Sequence, residues 1–243
     1  MGHPTELLCA RCGEKYSLAR HYRSCVKCGA PLLLAHDLEK ISDTISRDLF
    51  AGREWGVWRY LELLPNISQR KIVSLGEGGT ALLECERLAR TLSLKKVFVK
   101  DETTNPTGSF LDRGMTVDLS RANDLGFRSL RCMAVSGNFA ASASAYASRA
   151  GLDCTIHLPK QSIERIDLGK LYQIIAYGAN LIAEDESTSD QSAFDRWSDD
   201  SYILSPGNPY FAEGEKTTAY EICEQLGWRI PDRIIVPMGH GEH

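Results

Sequence analysis

The chain has 243 residues, of which 43% are hydrophobic and 25% are charged, a composition typical of a globular protein. Its formal net charge of −4 argues against nucleic acid or an acidic membrane as a partner bound through global electrostatics. No apolar run approaches the ~20 residues that span a bilayer, and the N-terminus lacks the apolar core of a signal peptide. We therefore expect a cytoplasmic protein with no membrane partner.

Four of the eight cysteines form two C-x-x-C pairs near the N-terminus. The pairs are Cys9 with Cys12 and Cys25 with Cys28, and a glycine directly follows each pair. Glycine permits the tight turn in which backbone amides point towards thiolate sulfurs, and four thiolates suit a tetrahedral zinc ion. The spacing predicts a structural zinc ribbon over residues 1–35; four unliganded thiols are the alternative. The basic residues of this segment are more simply explained as a solvated surface than as a nucleic-acid site.

The rest of the chain, residues 36–243, alternates between helical and extended patterns after a mostly helical stretch at 37–64. Apolar runs that predict strands lie at 96–100, 130–136, 154–159, 180–184, 202–205 and 233–237. Helical patterns fall near 110–125, 138–150, 163–177, 188–198 and 210–227. Apolar strands of this length, separated by amphipathic helices, predict a parallel sheet in an α/β fold.

Ligands in open α/β sheets bind beyond the carboxyl ends of the strands, so the loops there are the first place to look for a site. The loop NPTGSFLDRG at 105–114 contains Ser109 and Asp112, which fit a capping box that starts a helix near residue 110. The positive end of that helix would favour an anion or an electron-rich ring. Leu111, which has no reactive group, lies in its first turn.

Two further loops follow predicted strands. Ser136, Gly137 and Asn138 open a helix that is rich in small residues, and Ser136 or Asn138 fits either an N-cap or a ligand contact. The stretch VPMGHGEH at 236–243 places glycines after a strand, where backbone amides often bind phosphate. Glu242 would add a carboxylate that repels phosphate from this loop.

These loops, in this order, resemble those of threonine synthase and its relatives among the fold-type II pyridoxal-phosphate enzymes. The stretches that carry the resemblance are SLGEGGTALLE (74–84), VFVKDETTNPTGSFLDRG (97–114), SGNFAASASAYASRAGL (136–152), GKLYQIIAYGANLI (169–182), NPYFAEGEKTTAYEICEQLGW (208–228) and PDRIIVPMGHG (231–241). An N-terminal zinc ribbon also occurs in some threonine synthase-like proteins.

The resemblance implies a tryptophan synthase β-like, parallel-sheet architecture that follows the ribbon. In that architecture a small substrate domain covers about 110–210, and residues 36–109 and 211–243 form an incomplete large domain. The strand at 233–237 would then lie at an open sheet edge, which exposes unpaired backbone groups. We expect either that a second copy of the chain or a partner chain covers that edge, or that the chain is a truncated product that folds poorly.

The resemblance also implies a chemistry that this sequence alters. The family converts O-phosphohomoserine and water to threonine and phosphate, and the lysine of its GSFKDRG motif holds pyridoxal 5'-phosphate as a Schiff base. Leu111 occupies that position, and a leucine can neither form a Schiff base nor move protons between substrate carbons. Lys100 is another lysine near the loop, at a position where family members often carry a lysine beside the catalytic one.

Two sets of ligand-binding residues follow from the resemblance. The cofactor-binding set is Asn138, Gly239, His240 and Gly241, and the substrate-binding set is Thr80, Ser136 and Gly137. An amino-acid phosphate is the implied small-molecule partner.

Three hypotheses remain open from the sequence. The first is a threonine synthase-family protein whose sequence is partial or altered. The second is a pseudoenzyme that acts as a ligand-binding or regulatory subunit. The third is an interaction module in which the zinc ribbon makes the contacts.

Overall fold

The computed structural model describes residues 4–133, 136–160, 166–184 and 200–238. The predicted helix at 188–198 and the predicted phosphate loop of Gly239, His240 and Gly241 lie outside these residues. Within them, no helix is both long enough and apolar enough to cross a bilayer.

The N-terminal segment is a three-stranded antiparallel sheet that packs on the main body. Its strands, in the order β2-β1-β3, are β1 (Glu6–Cys9), β2 (Lys15–Ser17) and β3 (Leu32–Leu34). Alternate side chains of β1 and β3 turn inward, so that Leu7 and Leu32 are buried. They belong to one hydrophobic cluster with Val117 and Tyr210 of the main body. The ribbon therefore shares its apolar core with the rest of the protein.

Short helices and a second small sheet connect the ribbon to the parallel sheet. The connecting elements are α1 (Leu38–Thr44), α2 (Arg47–Ala51), 3₁₀ turns at Val57–Leu63, Gln69–Lys71 and Glu102–Thr104, β4 (Leu82–Glu84), α3 (Glu86–Thr91) and β5 (Phe98–Lys100). β5 pairs antiparallel with β4, so the prediction that 96–100 joins the parallel sheet is wrong. An apolar run predicts a strand but does not choose its partner, and β5 is only half buried.

The central sheet confirms the predicted parallel α/β architecture. Its strands, in the order β8-β7-β6-β9, are β6 (Ser129–Met133), β7 (Asp153–Pro159), β8 (Asn180–Glu184) and β9 (Ser201–Leu204), and all neighbours are parallel. The helices α4 (Leu111–Asp124), α5 (Gly137–Ala150) and α6 (Leu168–Ala176) precede or connect these strands. α5 packs against both α4 and α6, which brings the N-terminal turns of α5 and α6 together.

The predicted helix at 210–227 is divided into α7 (Pro209–Glu215) and α8 (Thr217–Gln225). α7 crosses α4 at very short range, and two glycines make this possible. A Cβ atom on Gly214 would lie 1.9 Å from the Arg113 carbonyl oxygen, and one on Gly114 would lie 2.7 Å from a ring carbon of Phe211. Any larger residue at either glycine would force the two helices apart.

The prediction of a strand at 233–237 is wrong. These residues form no regular secondary structure and pair with no segment of the described chain, and their side chains are largely exposed. Ile230 and Ile235 are 85% and 94% exposed, and Met238 is 79% exposed. A strand requires a neighbour that accepts its backbone hydrogen bonds, and apolar character alone does not supply one.

A buried acid joins α4 to the central sheet beneath the ribbon. The Tyr202 hydroxyl of β9 donates to Asp118 Oδ1 at 2.6 Å, and Asn208 Nδ2 donates to that hydroxyl at 3.0 Å. The His21 ring of the ribbon lies over the Tyr202 ring, with 4.0 Å between centroids. Burial raises the pKa of the Asp118 carboxyl to about 8, although the hydrogen bond from Tyr202 opposes the rise.

We predict that Asp118 makes stability fall as pH rises. The unfolded carboxyl loses its proton near its ordinary pKa of 3.8, whereas the folded one keeps it until about pH 8, so protonation favours the folded state across that window. In Asp118→Asn the side chain is neutral at every pH. Urea unfolding between pH 5 and 7 should show the wild type losing up to about 1.4 kcal/mol per pH unit relative to the variant. Equal pH dependence in the two proteins would show that Asp118 is ionised when folded.

Candidate functional site

Leu111 is the first residue of α4 and is part of the hydrophobic core. Its side chain is 6% exposed and belongs to the cluster that contains Phe139 of α5 and Phe211 of α7. The position that the resemblance assigns to a Schiff-base lysine is thus filled by a packed apolar side chain. Nothing at this position can act as a nucleophile or a base.

Asp112, the next residue, holds the loop that precedes α4. Its buried carboxylate accepts hydrogen bonds from the Thr107 amide at 2.7 Å, the Thr107 hydroxyl at 2.8 Å and the Ser142 hydroxyl of α5 at 2.6 Å. Burial raises the pKa of the Asp112 carboxyl, and these three donors oppose the rise. The helix begins where it was predicted, but the Ser109–Asp112 capping box is wrong. Asp112 turns instead towards Thr107 and Ser142, and Ser142 lies 30 residues later.

Ser136, Gly137 and Asn138 begin α5 at the carboxyl end of β6. The Ser136 hydroxyl accepts from the Phe139 amide at 3.5 Å, which confirms the N-cap. The Asn138 side chain is exposed and has no hydrogen-bond partner within the described part of the chain. Its amide is therefore available to a ligand, and the predicted ligand contacts of these three residues stay predictions.

Lys170 links this region to the loop before α4. It lies in the first turn of α6, which Asp167 caps, and its Nζ donates to the Thr107 carbonyl oxygen at 2.5 Å. A Cβ atom on Gly137 would lie 2.9 Å from Lys170 Cβ, and one on Gly108 would lie 3.7 Å from Nζ. An amine therefore stands between the two predicted ligand loops. No role for Lys170 could be predicted from the sequence, because a lysine at a helix start has no distinguishing pattern.

Arg113 lies at the centre of a buried ion-pair network behind the loop. Its fully buried guanidinium donates to Glu102 of the 102–104 turn at 2.6 and 2.8 Å. It also donates to Glu221 of α8 at 2.7 and 2.9 Å. Both carboxylates keep a pKa below the usual range despite burial, because they are hydrogen-bonded to this cation.

Lys100 and Thr80 complete the same network. Lys100 Nζ donates to Glu221 at 2.8 Å and to the Thr80 carbonyl at 2.7 Å, and burial lowers the pKa of its ammonium. The Thr80 hydroxyl, which is buried, donates to Glu102 at 2.6 Å and accepts from Arg113 at 3.0 Å. The structure thus gives the Thr80 hydroxyl two protein partners, and its predicted contact with substrate stays a prediction.

Two glycines of the GEGGT segment let the backbone reach this network. Gly78 and Gly79 have positive φ angles of 81° and 63°. A Cβ atom on Gly78 would lie 2.8 Å from the Glu221 carboxylate, and the Gly79 amide donates to that carboxylate at 2.8 Å. Only glycine combines this backbone conformation with this close approach.

The four N-terminal cysteines form a second candidate site. Cys9 Sγ lies 3.5 Å from Cys28 Sγ, and Cys12 Sγ lies 3.6 Å from Cys25 Sγ. All four sulfurs lie within 4.8 Å of one another. A tetrahedral metal with metal–sulfur bonds of about 2.3 Å separates its sulfurs by about 3.8 Å. The cluster can therefore bind a metal ion, and the amides of Arg11 and Cys12, which point at Cys9 Sγ from 3.4 Å, suit a thiolate ligand.

Residues 73–243 match the family model described as pyridoxal-phosphate dependent enzyme. The chain belongs to this family. It is 44% identical over 238 residues to the threonine synthase of Methanocaldococcus jannaschii, with 96% of this chain and 57% of the relative covered. It is 37% identical over 237 residues to the threonine synthase of Methanosarcina acetivorans, with 96% of this chain and 56% of the relative covered. The chain therefore spans just over half the length of these threonine synthases.

Two solved structures share the fold of this chain. Threonine deaminase isoform 2 from Solanum lycopersicum superimposes with a TM-score of 0.55 at 18% identity, over 72% of this chain and 48% of that one. Escherichia coli diaminopropionate ammonia lyase gives 0.54 at 17% identity, over 68% of this chain and 56% of that one. The chain thus has the α/β fold of fold-type II enzymes and is threonine synthase-like.

The described residues fit the family cofactor as a bound ligand but not as a group attached at residue 111. The N-terminal turn of α5 suits an anion, and Lys170 and Asn138 carry polar groups beside it. The predicted free amides at the start of α4 are wrong, because those of residues 111–114 all donate to protein acceptors. Leu111, in contrast, offers no amine. Any attachment of pyridoxal phosphate to this chain must therefore use a different residue.

Because Arg113 and Lys100 both depend on Glu221, we predict that Glu221→Gln is strongly destabilising. The change keeps the shape of the side chain but leaves two buried cations facing the single carboxylate of Glu102. Breaking a buried pair in this way costs about 3–5 kcal/mol in free energy of unfolding, measurable by urea denaturation.

The matched control for this variant is Lys15→Gln. It breaks the Lys15–Glu6 pair, in which the lysine side chain is 65% exposed, and should cost less than about 1 kcal/mol. Similar losses in the two variants would show that the buried network contributes no more than a surface ion pair.

Proposed function

We propose that this chain is a threonine synthase-like protein that binds pyridoxal phosphate between the loop at 105–111 and the start of α5, without attachment at residue 111. The observation that carries the proposal is Leu111, a core residue at the attachment position of the family. The family match supports the cofactor, and the threonine synthase relatives support an amino-acid phosphate such as O-phosphohomoserine as the second ligand.

The residues of the chain have separate tasks in this proposal. When bound, pyridoxal phosphate supplies an electron-withdrawing ring. The free amides at the start of α5 stabilise an anionic group, and Asn138 offers a donor and an acceptor to a ring or a carboxylate. Asp112 fixes the loop geometry through Thr107, and the Arg113 network holds the helix behind it. The family reaction requires an amine at residue 111, and leucine has none. This favours a ligand-binding or regulatory role.

A partner chain also belongs to the proposal. The segment at 230–238 leaves Ile230, Ile235 and Met238 exposed, and such apolar groups are commonly covered by another polypeptide. A second copy of this chain or a separate chain could fill that role.

We also propose that the four-cysteine cluster binds a structural zinc ion. The predicted reducing cytoplasm keeps the cysteines free to ligate, and four cysteines leave no open position for catalysis. The metal would hold the strands of the ribbon against the core that contains Val117 and Tyr210.

The zinc proposal predicts one zinc ion per chain by elemental analysis of the purified protein. Cys25→Ser should lose that metal and lower Tm by several degrees, because metal binding stabilises only the folded ribbon. Cys85→Ser, outside the cluster, is the matched control and should keep the metal. A metal-free wild type whose Tm does not change with chelator would contradict the proposal.

The binding proposal predicts that pyridoxine 5'-phosphate, which lacks the aldehyde, binds the native chain with measurable heat in calorimetry. Leu111→Lys should in addition become covalently labelled at residue 111 by pyridoxal phosphate and borohydride, as mapped by mass spectrometry. Leu111→Gln, of similar length but without an amine, should bind and remain unlabelled there. Circular dichroism checks that each variant folds. Absence of pyridoxine phosphate binding to the native chain would refute the proposed function.

A further inference from the structure

A lysine amine lies at the candidate cofactor site even though residue 111 has none. Lys170 Nζ contacts the Thr107 carbonyl, four residues before Leu111, and Lys170 Cβ lies against Gly137 at the start of α5. Of the described lysines, Lys170 is the one whose amine a hydrogen bond ties to the loop at 105–111. Its side chain is partly exposed, so a ligand can reach it.

Two other lysines, in the stretches that carry the family resemblance, form ion pairs with carboxylates. Lys100 is 10% exposed and gives its three N–H groups to Glu221, the Thr80 carbonyl and Gln225. Lys216 pairs with Glu213 and approaches His36. Freeing either amine would leave a carboxylate without its partner, which costs several kcal/mol when the pair is buried.

Releasing the Lys170 amine from its partner costs less free energy. Its hydrogen bond goes to a main-chain carbonyl, a neutral group, so that releasing it leaves no uncompensated charge. Gly108 and Gly137 place no side chain against the Lys170 amine and stem. A lysine has four rotatable bonds, which allow the amine to turn from Thr107 towards a ligand between the loops.

We propose that Lys170 replaces the missing lysine and forms a covalent bond with the aldehyde of pyridoxal phosphate. The inference rests on the proposed function, because it requires that the phosphate-bearing ligand binds between these loops. It differs from the chemistry of the family in the residue that bonds and in the helix that carries it, α6 in place of α4.

The step is a condensation that balances without an oxidant or reductant. The Nζ lone pair attacks the aldehyde carbon, a C=N bond forms and the C=O bond breaks. The aldehyde oxygen leaves as water with two hydrogens that the ammonium held, and one hydrogen with the positive charge remains on nitrogen. Borohydride then adds a hydride to the C=N carbon and fixes the ligand to the lysine as a stable amine.

The experiment treats the purified full chain with one equivalent of pyridoxal phosphate, reduces it with borohydride and maps the modified peptide by mass spectrometry. We expect one saturable adduct, located at Lys170. Lys170→Arg keeps a cation but cannot condense, and should lose at least tenfold in labelling while it still binds pyridoxine 5'-phosphate. Lys160→Arg, a surface lysine outside the loops, is the matched control and should label normally.

A second variant tests the geometry without removing the amine. Gly137→Ala places a Cβ atom 2.9 Å from Lys170 Cβ and should displace the lysine stem, so that labelling falls while fold and metal content remain. Normal labelling of this variant would show that the position of Lys170 beside α5 does not matter, and would overturn the inference.

The remaining outcomes separate this inference from the proposed function. If pyridoxine phosphate binds but the adduct maps to Lys100 or is spread over surface lysines, the inference fails and the proposed function stands. If pyridoxine phosphate does not bind the native chain, the proposed function fails, and any adduct at Lys170 is then non-specific labelling.

Discussion

The buried guanidinium of Arg113 is the interaction on which the site depends. It pairs with carboxylates from two distant parts of the chain, Glu102 and Glu221, and the latter also binds Lys100. Two cations face two carboxylates, so the cluster is electrically balanced, and removing any member would leave a charge in a medium that cannot solvate it. The network thereby fixes the start of α4 relative to α8 and to the glycine segment at 78–79.

This arrangement explains how the chain can lose the family lysine and keep the architecture around it. The loop geometry before α4 comes from Asp112 and its three donors, and the helix position comes from Arg113 and from the Gly114–Gly214 crossing. Residue 111 contributes only packing to this frame. A leucine there joins the apolar cluster of Phe139, whereas a lysine would place a charge among apolar side chains. The loop and the start of α4 can therefore keep their positions without a reactive group at residue 111.

Much of the fold and part of the site could be predicted from the sequence. Alternating apolar strands and helices indicated the parallel sheet, and the two C-x-x-C pairs indicated the four-sulfur cluster. The predictions were wrong for segments whose structure depends on residues that are distant in the sequence. The segment at 233–237 has the composition of a strand but no neighbour among the described residues, and Asp112 bonds to Ser142 rather than completing a local capping box. Lys170 was missed because its relevance lies in a contact with Thr107, 63 residues earlier.

The sequence by itself determined the family resemblance, the type and order of most elements, the cysteine cluster and the absence of an amine at residue 111. These properties follow from residue identity and short-range periodicity, which are present in the chain before it folds. Only the tertiary structure decided that β5 pairs with β4, that Arg113 gathers the buried charges, and that the Lys170 amine stands at the loop before Leu111. These features depend on contacts between residues that are separated in the sequence. Packing of the whole chain sets those contacts, and no local sequence pattern predicts them.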